Sequence, residues 1–145
     1  MRHVVIRRPG GYEQLRIEEA PDPVPIGNEV RVSTRGIGVN FADCVVRMGL
    51  YQSARELVGW PITPGFEFSG VVSAVGPNVT TVSSGDPVVG VSRFGAYSSE
   101  VVTPEALVRP LPRGLDFARA AGFPVAYLTG WYAVRELIRV RKGQR

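Results

Sequence analysis

The chain has 145 residues, 44% of them apolar, and a formal net charge of +4; this is enough for one domain with a sizeable core and too little for two of ordinary size. A single cysteine, Cys44, and a single histidine, His3, exclude an internal disulfide and a structural zinc site built from Cys and His. The basic residues are nearly all arginine and gather only in short groups, Arg7-Arg8 and Arg139 to Arg145, without the basic stripe and interleaved aromatics of a nucleic-acid surface.

The N-terminus lacks the apolar core of a secretory signal, and no apolar run reaches the roughly 20 residues of a membrane span, so a cytoplasmic setting is expected. His3 to Ile6 reads as a first strand, and Tyr12 to Glu19 as a second after the Pro9-Gly-Gly11 turn. Pro21 to Pro25 breaks regular structure. Glu29 to Val39 carries Val30, Val32 and Thr34 at alternate positions, the period of a half-buried strand. At Asn40 the period changes to a helical one. Phe41, Cys44, Val45 and Met48 fall on one face, Asn40 is placed to cap the helix, Gly49 to stop it, and Cys44 is expected in the core as an inert thiol.

Phe68 to Val75 reads as a core strand, followed by turns at Gly76-Pro-Asn78 and Gly85-Asp-Pro87 and by strands over Val88 to Val91, Tyr97 to Val102 and Leu107 to Leu111. Six or more short strands without crossover helices predict an antiparallel, barrel-like sheet, because parallel strands need long connections. Asp116 is expected to cap a helix over Phe117 to Ala121. A last helix over Thr129 to Val140 places Trp131, Val134 and Ile138 on one face, with Arg135 and Arg139 on the other, and that apolar stripe needs a neighbour.

The order strand, Gly36-Ile-Gly-Val-Asn-Phe-Ala-Asp43, short helix, Gly49-Leu-Tyr51, loop, Pro64-Gly-Phe-Glu-Phe-Ser-Gly-Val-Val72, then Gly85-Asp-Pro-Val88, resembles the N-terminal chaperonin-10-like (GroES-like) domain of the medium-chain dehydrogenase/reductase superfamily. The likeness is to its zinc-free quinone oxidoreductase branch. It implies a mainly β fold with short helices, a partly open β-barrel, with residues 1–125 as the catalytic domain and 126–145 as a helical linker toward a Rossmann cofactor domain. No Gly-x-Gly-x-x-Gly loop occurs in the 145 residues, and Gly36-Ile-Gly38 is only a partial match, so the pyrophosphate and adenosine of the cofactor have no seat here.

In zinc alcohol dehydrogenases of the superfamily, the position of Asn40 is a cysteine ligand, that of Phe66 a histidine, and the third ligand falls near Pro124-Val125. Asparagine is a weak neutral ligand, phenylalanine and proline are none, and Cys44 lies outside the ligand register, so no catalytic zinc is expected. Without a Lewis acid the acceptor must already be electrophilic. The resemblance therefore implies hydride transfer from NADPH to a quinone or activated enone, with positioning supplying much of the rate. An enoyl reductase of the same superfamily, or a stand-alone, non-catalytic GroES-like binding module, are the alternatives.

Asn40 is the implied active-site contact: it faces nicotinamide and substrate and can donate to a developing oxyanion, with a cap-only role as the competing reading. Tyr51 matches a position near the substrate cleft, where it would stack on a quinone or serve as an ordinary tyrosine. Thr129 matches a threonine that approaches the nicotinamide, and it could also cap the last helix. Asp43 and Glu67 match acidic positions that orient backbone or arginine partners. Gly65, Gly70 and Gly76 are read as close-packing residues. Dimerisation is usual in the relatives, so a homodimer is compatible with the resemblance, and an isolated 145-residue chain is expected to be inactive.

Overall fold

The computed structural model describes residues 1–138 and Gly143. Its seven strands are β1 (Arg2–Ile6), β2 (Leu15–Glu19), β3 (Glu29–Ile37), β4 (Glu67–Val75), β5 (Pro87–Val91), β6 (Glu100–Pro104) and β7 (Val108–Pro110). Four α-helices accompany them: α1 (Phe41–Arg47), α2 (Gln52–Leu57), α3 (Phe117–Ala121) and α4 (Pro124–Tyr132). β1 and β2 form a hairpin, and the other strands form one open antiparallel sheet in the order β6-β3-β4-β5-β7. Single bridges from His3 to Ser98 and from Ile6 to Ile62 fasten the hairpin to the loops around the sheet. The expected mainly β, partly open barrel is thus observed.

Alternation drives the sheet's burial. Val30 and Val32 of β3, Phe68 and Val72 of β4, and Val88 of β5 point to one side, where Val82, Ala96, Val101 and Val108 complete the main core. A second core, of Ile6, Val46, Ala54 and Ile62 with Tyr51, Trp60, Phe66 and Phe94 against it, lies where α1 and α2 meet the hairpin. α3 packs over β3 and β4, and the Ser69 hydroxyl donates to the Phe117 carbonyl at 2.6 Å. No helix among the described residues is long and apolar enough to cross a membrane.

Several elements differ from expectation for identifiable reasons. The second strand begins only at Leu15, because Tyr12–Gln14 is a 3₁₀ turn that Gln14 N–H closes onto the Gly11 carbonyl. Gln52–Leu57, expected as loop, is helical: it holds good helix formers and a Gln52 to Glu56 hydrogen bond of 2.7 Å one turn apart. The strand expected over Tyr97 to Val102 starts at Glu100, with Tyr97 and Ser98 serving the hairpin instead.

The inward face of α1 is also different. Phe41 is 80% exposed and Met48 lies at the surface, while Asp43, Val46 and Arg47 are buried and Cys44 is only half-buried. Hydrogen bonds rotate the helix: Asp43 is drawn toward Gly65 and Tyr97, and the Arg47 guanidinium donates to the Gly10 carbonyl and lies 4.4 Å from the Tyr12 ring centroid. Gly49, at φ 75°, ends α1 as expected, with Leu50 N–H returning to the Val45 carbonyl at 3.0 Å.

The cap at Asp116 is present, its carboxylate accepting from Arg119 N–H at 2.7 Å. The last helix, however, starts at Pro124 rather than Thr129, as a proline at the first helical position favours. It passes into a π-helical turn over Ala133–Leu137. Thr129 is therefore inside α4 and caps nothing, and Arg135 reaches back over the Trp131 ring instead of occupying an opposite face. Arg139 and Val140, assigned to the same helix, lie outside the described residues.

Candidate active site

The end of β3, the start of α1 and the start of β4 meet around two buried carboxylates. Asn40 occupies the N-cap of α1 in extended conformation, and with Asp43 it forms a capping box. In it the Asp43 carboxylate accepts from Asn40 N–H at 2.8 Å. The same carboxylate accepts from Gly65 N–H at 3.1 Å and from the Tyr97 hydroxyl at 3.1 Å. Asp43 thereby pins the helix start to the loop before β4 and to the segment before β6.

No arginine or lysine pairs with Asp43 among the described residues. Burial raises its pKa above 3.8, opposed by the bonds from Asn40, Tyr97 and Gly65. Burial, then the neighbouring Asp43 charge, pushes the Tyr97 phenol above its ordinary 10.0. Tyr97 is thus a fixed donor rather than an acid poised for neutral pH.

Glu67 is 1% exposed at the first position of β4. Its Oε1 accepts from Asn40 Nδ2 at 2.8 Å and its Oε2 from Val125 N–H at 2.8 Å, so one carboxylate joins Asn40 to the first turn of α4. Gly38 makes this seat: a methyl group at that position would overlap the Glu67 side chain and the Ala121 carbonyl. Gly38 N–H in turn donates to the Glu67 carbonyl at 3.2 Å.

The structure brings Asn40, Asp43 and Glu67 into one network and leaves the other candidates elsewhere. Tyr51, the N-cap of α2, belongs to an aromatic cluster, its ring 5.5 Å from that of Phe66 and 6.1 Å from that of Phe94. Phe66 immediately precedes Glu67, so the cluster and the carboxylate meet where the loop enters β4. Thr129 is exposed on α4. Val39 and Phe41, flanking Asn40, are 77% and 80% exposed, an apolar rim beside the half-buried amide. Two open depressions of about 250 and 360 Å³ border the N-terminal hairpin and share His3 and Ser98; neither is lined by Asn40, Tyr51 or Thr129.

Tyr97, Gly38 and Phe94 were not singled out from sequence. Gly38 appeared in the diagnostic Gly36 to Asp43 segment and in a failed phosphate-loop pattern but was given no role of its own, and nothing in the local sequence marks Tyr97 as a partner of Asp43. Among the described residues no three His, Cys, Asp or Glu side chains form a group able to hold a metal ion. The position expected for a third ligand is instead a backbone N–H given to Glu67.

The alcohol dehydrogenase GroES-like domain family matches residues 27–113, and the chain belongs to that family. Within it the chain falls in the zinc-independent quinone oxidoreductase branch of the medium-chain dehydrogenase/reductase superfamily. It is 41% identical over 133 residues to quinone oxidoreductase-like protein 2 of Rattus norvegicus, covering 91% of this chain and 37% of the relative. The crystal structure of Escherichia coli quinone oxidoreductase complexed with NADPH superposes with a TM-score of 0.87 at 33% identity, covering 94% of this chain and 41% of that one. CurK enoyl reductase gives a TM-score of 0.91 at 28% identity, covering 99% and 45%. The chain thus spans less than half the length of each of these proteins.

Proposed function

We propose that this chain is the substrate-side domain of an NADPH-dependent, zinc-independent oxidoreductase that reduces a quinone or activated enone. The observation that carries the proposal is the Asn40 amide. One of its two N–H bonds is given to the buried Glu67, which leaves one N–H for an incoming oxygen beside the exposed Val39 and Phe41. A neutral donor at an apolar rim suits a flat, already electrophilic carbonyl compound and a nicotinamide ring.

The donor set fits that cofactor in part. Asn40, with Thr129 from α4, would hold the nicotinamide end; pyrophosphate and adenosine would need a Rossmann domain outside these 145 residues, since no glycine-rich phosphate loop occurs in them. When bound, the reduced nicotinamide supplies the hydride. The chain's own groups bind and orient. Asn40 donates to the acceptor's carbonyl oxygen as negative charge gathers there, Tyr51 offers a ring edge at the Phe66 and Phe94 cluster, and Val39 and Phe41 exclude water from the acceptor's face. Solvent completes the reduction with a proton.

The likeness to an enoyl reductase favours a second substrate class, because the same N–H would serve a thioester carbonyl. NADPH oxidation with quinones, enones and enoyl thioesters, measured on the chain joined to its cofactor domain, separates the two. Quinone turnover there, and negligible turnover by the 145-residue chain alone, is expected. Robust turnover by the chain alone, or turnover that requires stoichiometric zinc, contradicts the proposal.

A further inference from the structure

We infer that Glu67 is the positioning residue that sets which way the Asn40 amide faces, and so which hydrogen-bonding group the site offers its substrate. The inference rests on the role proposed for Asn40 and adds the residue that controls it.

An asparagine amide has two faces of similar shape and opposite polarity, and rotation by half a turn exchanges donor for acceptor. At Asn40 that choice is held at both ends of the amide: the capping box turns the oxygen toward Asp43 N–H, and Glu67 takes the nitrogen. Glu67 Oε1 accepts from Nδ2 at 2.8 Å and directs the nitrogen inward toward β4. The opposite orientation would set the Asn40 carbonyl oxygen against a carboxylate oxygen. Glu67 cannot swing aside, because its Oε2 holds Val125 N–H at 2.8 Å and its side chain is 1% exposed. Gly38 leaves only enough room for this placement. The carboxylate is thus matched to two N–H donors, one on the site residue and one on the first turn of α4.

Glu67→Gln breaks the match while keeping the shape. A glutamine has one acceptor oxygen for the two donors. If that oxygen stays on Val125 N–H, its amide nitrogen faces Asn40 and turns that side chain over; if it stays on Asn40, Val125 N–H faces another donor. Gly38→Ala displaces Glu67 without removing any polar group; its methyl also presses on the Ala121 carbonyl, so the Asn40 amide signature, which reads the Glu67 contact itself, is the readout taken from it.

Two measurements decide the matter. In the ¹⁵N-labelled 145-residue chain, the Asn40 side-chain NH₂ pair is expected to show one proton shifted downfield and protected from exchange, a signature lost in Glu67→Gln and in Gly38→Ala. In the chain joined to its cofactor domain, Glu67→Gln is expected to lower kcat about tenfold or more with KM for quinone within about twofold, and to have no further effect in an Asn40→Ala background. An Asn40 amide pair unchanged by both substitutions overturns the inference, as does a loss in Glu67→Gln that adds fully to that of Asn40→Ala. If the unsubstituted protein reduces no quinone, the proposed reaction fails by itself, and the amide signature alone decides the role of Glu67. Should Glu67→Gln not fold, Gly38→Ala supplies the amide readout.

Discussion

At the residue scale, the two acidic side chains of the diagnostic segments do different work. Glu67 faces the amide of Asn40, whereas Asp43 collects three donors, from Asn40 N–H, Gly65 N–H and the Tyr97 hydroxyl, and has no cation to balance it among the described residues. Its pKa is raised by burial from 3.8, so the folded state binds this proton more tightly than the unfolded chain does. The stability contributed by that proton is present below pH 3.8 and is lost as pH rises through the folded value. Asp43→Asn removes the titration. It also turns an amide nitrogen toward at least one of three donors, and is expected to destabilise the fold by about 1–3 kcal/mol at neutral pH. Urea unfolding of both proteins from acid to neutral pH should show the wild-type advantage shrinking as pH rises, then levelling. A gap that widens with pH would mean that the carboxylate is favoured in its charged form after all. The sequence made Asn40, Asp43 and Glu67 recognisable, because all three lie in linear motifs. Their partners Tyr97 and Val125 lie 54 and 58 residues from Asp43 and Glu67, and no local pattern links such positions.

At the element scale, α1 shows what periodicity alone misjudges. Phe41, Cys44, Val45 and Met48 recur at helical spacing, yet so do Asp43, Val46 and Arg47, and the second set faces inward. The apolar rule failed because two polar residues on the winning face bring their hydrogen-bond partners with them. Strand assignments fared better: Val30, Val32, Val72 and Val88 alternate with more exposed neighbours, while Phe68 lies between the equally buried Glu67 and Ser69, and the main core those residues enter is apolar. α2 was hidden by its brevity, six residues in which only Ala54 is buried and only Leu57 adds another apolar side chain. Paired substitutions on α1 test its orientation. Val46→Ala, at 0% exposure, is expected to destabilise by about 2 kcal/mol, and Phe41→Ala, at 80% exposure, to stay within about 0.5 kcal/mol. Chemical denaturation reads both, and the reverse ranking would restore the orientation expected from apolar spacing.

At the scale of the whole molecule, order is unevenly distributed, and the least anchored part is the one nearest the proposed cofactor. β4 is held on both sides, by β3 and β5, and contributes Phe68 and Val72 to the main core. α4 buries no residue completely; Tyr127, Leu128 and Trp131 are all more than half exposed, and its main contact with the sheet is at β5. What fixes its start is the bond from Val125 N–H to Glu67. Helices with so little tertiary burial open locally at a small fraction of the global free energy. In the isolated 145-residue chain, amide exchange over α4 is therefore expected to proceed through local opening, while β3 and β4 exchange only on global unfolding. Covering the Trp131 and Leu128 face with a docked domain should slow α4 toward the rate of the sheet. Protection of α4 equal to that of β4 in a demonstrated monomer would show that the helix is held by more than the Glu67 bond and its narrow contact with β5.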